Sequence, residues 1–101
     1  MLTHVKRQNA VRVKLSGELD HNSAGPIRTQ LDSLIADPSI TRLELDLNDL
    51  SFMDSSGIGM IIGRYKLMAR RGGTMAVLNG NRHVDRIFEM AGLYQIIEKL
   101  A

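Results

Sequence analysis

The 101-residue chain is 44% hydrophobic and 24% charged with two prolines, a balance suited to one globular core and unlike a disordered segment. Its 13 basic and 11 acidic residues are interspersed and leave a net charge of +2, and Phe52, Tyr65, Phe88 and Tyr94 are scattered, so no nucleic-acid-binding surface is implied. Without cysteine there is no disulfide, thiolate metal site or thiol nucleophile; without a signal-peptide pattern or an apolar run near the ~20 residues of a membrane span, a soluble, cytoplasmic, single-domain protein is expected.

Leu2 to Arg7 reads as a weak strand, and Val11, Val13 and Leu15 as a stronger one, because they alternate with Arg12, Lys14 and Ser16 and so bury one face. The intervening Gln8–Ala10 suits a hairpin. Ile27, Leu31, Leu34 and Ile35 form one helical stripe, which Asn22 or Ser23 can cap and Asp37-Pro38-Ser39 stops. Leu43, Leu45 and Leu47 alternate with Arg42, Glu44 and Asp46 as a third strand.

After it comes Asp54-Ser55-Ser56, then a helix carrying Ile58, Ile61, Ile62, Tyr65, Met68 and Ala69 on its core stripe. Gly72 and Gly73 end that helix, with Arg70 and Arg71 set for its negative end. Thr74–Leu78 is a short buried strand. A third helix carries Val84, Ile87, Phe88 and Ala91 and stops at Gly92, and Tyr94–Leu100 supplies a last short strand. The order β-β-α-β-α-β-α-β predicts an α/β fold, a mixed sheet with helices mainly on one face.

Chemistry concentrates at "MDSSGIGMIIG", Met53 to Gly63. Serine at a helix entrance is a common cap, yet one cap needs one hydroxyl. Interior helical glycine costs about 1 kcal/mol relative to Ala, so Gly57 and Gly59 suggest that a neighbouring strand or a partner approaches the first turn closely. A dinucleotide loop is disfavoured because the glycines fall inside the helix, separated from the strand by Asn48–Ser56, and a phosphate loop lacks its Gly-Lys-Ser/Thr ending. Arg64 and Lys66 argue against a membrane helix pair at Gly59 and Gly63. A small hydrolase would need His21, beside Asp20, to reach Ser55.

Three segments, "LSGELDHNSA" (Leu15–Ala24), "LDLNDLSFMDSSGIGMIIGRYK" (Leu45–Lys66) and "RIFEMAGL" (Arg86–Leu93), resemble the STAS domain of anti-anti-sigma factors, most closely the anti-sigma-F factor antagonists of spore-forming bacteria. The resemblance implies a STAS-like fold and a transcription regulator rather than an enzyme. It implies that Ser55 is phosphorylated by an anti-sigma factor that is itself a serine kinase, and that a PP2C-type phosphatase removes the phosphate. It further implies that the unphosphorylated form binds the kinase and releases the sigma factor. No cofactor is implied, since ATP would be held by the kinase. Partner-binding residues implied beside Ser55 are Asp20, His21, Asp54, Ser56, Gly57, Ile58, Gly59 and Ile62. Members usually continue past the last strand into a further helix, where this sequence has Leu100-Ala101. The alternative within the fold is a STAS module of a stress-signalling or lipid-transport complex.

Overall fold

Val11, Val13 and Leu15 point to one face of a strand and are fully shielded, whereas Arg12 and Lys14 on the other face are exposed. The same division runs through a computed structural model that describes residues 1–100. Its elements are β1 (Leu2–Arg7), β2 (Ala10–Leu19), α1 (Ala24–Ile35), β3 (Arg42–Met53), α2 (Ser55–Arg70), β4 (Thr74–Leu78), α3 (Arg82–Met90), a 3-10 turn (Leu93–Gln95) and β5 (Glu98–Lys99). The strands lie in the order β1-β2-β3-β4-β5, with β1 antiparallel to β2 and the other neighbours parallel. The expected mixed sheet and element order are therefore present.

All three helices seal one core: Ile27, Leu31 and Ile35 of α1, Met60, Ile61 and Met68 of α2, and Val84 and Phe88 of α3 pack with Leu43, Leu45 and Leu47 of β3. Each buried aliphatic side chain contributes about 1.5–3 kcal/mol relative to exposure. The opposite face stays polar, where Glu44 accepts from Arg12 at 2.9 Å and from Arg42 at 2.8 Å, and Arg42 reaches Glu98 at 3.2 Å. Burial opposes the charge on Glu44, but the two guanidiniums outweigh it and hold its carboxyl below the usual range.

Several expectations change in detail. β3 does not end at Leu47 but continues to Met53, because bulges opposite Lys14–Ser16 and Gly17–Glu18 shift its register with β2 and reset which residues face inward. Only Asp54 then separates strand from helix, not the longer Asn48–Ser56 segment. The α2 stripe is rotated: Met60 and Arg64 are buried, Tyr65 is half-buried and Ala69 is exposed. The Arg64 Nε lies 3.1 Å from the Asp32 carboxylate of α1, an ion-pair distance without hydrogen-bond alignment. Arg71 serves α1 rather than its own helix, its Nη1 donating to the carbonyls of Ile35 at 2.7 Å and Ile40 at 3.1 Å. The last strand shrinks to β5, since Leu93–Gln95 coils into the 3-10 turn after Gly92 adopts φ 72°. Ala91 is an exposed C-cap rather than part of the α3 core stripe.

Candidate functional site at the sheet rim

The extension of β2 and β3 beyond their bulges builds the site. Leu19 and Met53 are register partners on adjacent parallel strands, so Asp20 and Asp54, the next residues, emerge side by side at the carboxyl ends of those strands. Open α/β sheets commonly bind at such rims. The His21 and Ser55 segments therefore share one rim.

Asp54 is the N-cap of α2. Its backbone is extended at φ −116° and ψ −170°, which turns the carboxylate back over the first turn. One oxygen, Oδ1, accepts from the amides of Ser56 at 2.9 Å and Gly57 at 3.3 Å, while Oδ2 accepts from the His21 amide at 3.3 Å. The Asp54 amide donates to the Leu19 carbonyl at 3.2 Å. Asp20 organises the facing loop in the same manner: its Oδ1 accepts from the amides of Asn22 at 2.9 Å and Ser23 at 3.1 Å. Those amides, Ser23 first, depress the pKa of the half-buried carboxylate. Ser23 occupies the cap position of α1, but its hydroxyl donates to Glu18 O at 2.6 Å and accepts from the Asp20 amide instead of capping the helix.

Neither Ser55 nor Ser56 therefore acts as the cap. Ser55 is the first residue of α2 and is exposed; Ser56 is half-buried. Among the described residues neither hydroxyl enters a hydrogen bond with another group. The glycines divide. A Cβ on Gly57 would lie 2.8 Å from Leu19 Cγ, 2.8 Å from Met53 Cγ and 2.9 Å from the Leu19 carbonyl, whereas one on Gly59 would meet nothing within 4 Å. Gly57 is thus buried against the protein's own strand ends, and that packing by itself accounts for the absence of a side chain there. Gly59 is exposed, and Ile58 and Ile62 each pack on the core while leaving an edge accessible. His21 is exposed and lies along the same rim.

Comparison with known proteins agrees with this geometry. The STAS domain family matches residues 2–101. An anti-sigma F factor antagonist of Paenibacillus polymyxa is 47% identical over 85 residues, covering 84% of this chain and 73% of the relative. The chain is a STAS domain of the anti-sigma factor antagonist family. The solved structure of the anti-sigma factor antagonist SpoIIAA in its unphosphorylated form superposes with a TM-score of 0.86 at 28% identity, covering 100% of this chain and 89% of that one. The phosphorylated form of SpoIIAA, a Bacillus cell fate determinant, gives 0.79 at 27% identity over 100% of this chain and 92% of that one.

Two further parts of this STAS domain's rim escaped sequence reasoning. Phe52, 39% exposed, stacks on His83 of α3 with ring centroids 5.4 Å apart and planes 16° from parallel. Asn81 caps α3 through the Val84 amide at 2.8 Å and donates its Nδ2 to the Leu50 carbonyl at 2.9 Å, fastening that helix to β3. Only the element order, which sets the start of α3 beside the end of β3, could have hinted at either pairing. A hollow of about 380 Å³ lies elsewhere, lined by Val5, Arg7, Ala10, Arg12 and Glu44 on the helix-free face. Among the described residues, no helix is long and apolar enough to cross a membrane.

Proposed function

We propose that this STAS domain is an anti-sigma factor antagonist controlled by phosphorylation of Ser55. The observation that carries the reading is an exposed first-turn serine whose capping task is taken by its neighbour Asp54. Its hydroxyl is left for chemistry, at a helix end that a kinase can approach. The partner is an anti-sigma factor serine kinase, which also holds the ATP, and a PP2C-type phosphatase reverses the modification. That SpoIIAA has been solved in both unphosphorylated and phosphorylated forms supports a phosphate switch in this family.

The physical effect follows from the occupancy of the helix end. A phosphoryl group brings a charge of about −1.5 to −2 at pH 7 and three acceptor oxygens. The Ser56 and Gly57 amides that could receive those oxygens already serve Asp54, so the phosphate stands outward beside the Asp54 and Asp20 carboxylates. Negative charge accumulates on the face that docks the kinase, and binding is lost without refolding. The contact surface comprises Asp20, His21, Ser56, Ile58, Gly59 and the accessible edge of Ile62. The domain is a binding module rather than a hydrolase, a reading supported by the Asp20 oxygen Oδ1 being committed to loop amides rather than orienting the His21 ring.

The test is mass spectrometry after incubation with an active anti-sigma kinase and ATP, comparing wild type, Ser55→Ala and Ser56→Ala. One phosphate absent only from Ser55→Ala, with loss of the complex and an unchanged melting temperature on phosphorylation, is expected. No phosphate on any form, despite a kinase that binds, would leave a STAS module without this switch.

A further inference from the structure

We infer that Asp54 is a positioning residue that locks the Asp20–His21 loop to the Ser55 helix end, so that the kinase meets both as one preformed surface. The inference rests on the reading of Ser55 as phosphoacceptor and concerns how that site is held. It departs from the role implied by family resemblance, in which Asp54 itself contacts the partner.

The argument comes from assigning each amide of the loop after β2. The Asp20 amide donates to Ser23 Oγ, the Asn22 and Ser23 amides to the Asp20 carboxylate, and the Ala24 amide to the Asp20 carbonyl. These bonds are internal to the loop and fix its shape. The His21 amide alone crosses out of it, to Asp54 Oδ2 at 3.3 Å. The other oxygen of the same carboxylate holds the Ser56 and Gly57 amides. A single planar group therefore sets the spacing between the loop and the helix end. The two segments are also in register below it, through the Asp54 amide on the Leu19 carbonyl and through Gly57 seated against Leu19. The side-chain tie adds orientation to that backbone contact, because it reaches the loop two residues beyond the strand, next to Asp20.

Such a tie has a thermodynamic signature that a cap or a direct contact lacks. If Asp54 presents Asp20, cutting the tie must reduce what Asp20 is worth to the partner; if Asp54 is only a cap, the two residues act independently.

Asp54→Asn cuts one side of the tie. The amide oxygen can still cap α2, while its nitrogen, a donor, faces the His21 N–H. Asp54→Ser, a competent cap too short to reach His21, is the second variant. The expected melting temperature of each lies within about 8 °C of wild type, as near-equal caps imply. The His21 amide should exchange with solvent about tenfold faster by NMR, with Gly57 little changed in Asp54→Asn. The affinity of the anti-sigma kinase, measured by titration calorimetry, should fall about tenfold on Asp20→Asn in wild type but only about twofold in the Asp54→Asn background. Unchanged His21 exchange in both variants, or an equal Asp20→Asn factor in both backgrounds, overturns the inference. A wild-type chain that neither binds nor accepts phosphate from the kinase would refute the Ser55 reading instead, and His21 exchange would then decide the tie alone.

Discussion

Replacing Gly57 and Gly59 separately by alanine should move stability in opposite directions, although the two lie two residues apart in one helix. At Gly59 the new methyl meets nothing within 4 Å, so the substitution should return most of the helical propensity that glycine forgoes, about 1 kcal/mol. At Gly57 the methyl would lie 2.8 Å from two side-chain carbons and 2.9 Å from the Leu19 carbonyl. Leu19 and Met53 can adjust their side chains, but the carbonyl is fixed because it accepts from the Asp54 amide. Overpacking typically costs about 1–3 kcal/mol, and with contact to a fixed carbonyl the cost falls in the upper part of that range, which outweighs the ~1 kcal/mol of propensity gained and leaves Gly57→Ala less stable by up to about 2 kcal/mol. For a domain of this length, 1 kcal/mol corresponds to about 4–8 °C in melting temperature, so thermal scans should place the variants on opposite sides of wild type. Urea titrations with unchanged slopes would confirm that the folded state is responsible. Under the proposed function, Gly59→Ala should nonetheless bind the kinase more weakly, joining a gain in stability to a loss of affinity. A Gly57→Ala protein as stable as wild type, or a destabilised Gly59→Ala protein, would refute the division of the glycines into one that packs and one that stands in open space.

Acid should destabilise the fold below about pH 4, the ordinary range of free aspartate. The carboxyls of Asp37, held down chiefly by Lys6 and then Ser39, of Asp85, by Tyr94 and then Lys99, and of Asp20, by the Ser23 and Asn22 amides, all have depressed folded-state pKa values. Their stabilisation is present above the unfolded pKa and is lost as pH falls through the folded values; a melting temperature constant from about pH 4 to 2 would contradict this sign. Arg71→Ala should lower stability by about 1–2 kcal/mol by stranding the Ile35 and Ile40 carbonyls, and Arg71→Lys should recover only part, since an ammonium lacks the planar fork. Kinase affinity should be unaffected in Arg71→Ala, a result measurable on the same protein after its melt is recorded.

The strands and helices were legible where periodicity is strict. Leu43, Leu45 and Leu47 announced β3, but inward-facing Leu47, Leu50 and Met53 then recur at intervals of three, because the bulges break the period of two. That irregular stretch is what carries the site outward, so the strand was least readable where it matters most. The cap is undecided in the sequence for a different reason: serine and aspartate are comparable caps, and only the extended backbone at Asp54 decides between them. Arg64 was hidden because composition assigns a guanidinium to the surface, while its carboxylate neighbour Asp32 sits on another helix. The Ser55 assignment came from family resemblance. From its own residues the stretch left cap, nucleophile and modification site open.

The bulges also divide the β2–β3 pairing into two stretches. On the near side of Gly17 the β2–β3 pairing serves the core; on the far side it sets where Asp20 and Asp54 emerge. Because neighbouring residues of a strand face opposite ways, removing one residue at Gly17 would send the following side chains to the other face and carry Asp20 away from its partner, while Val11, Val13 and Leu15 kept their places. Strand register at this joint therefore sets the aim of the rim, and because Leu19 is itself fully buried against Gly57, re-aiming the rim also repacks that end of the core.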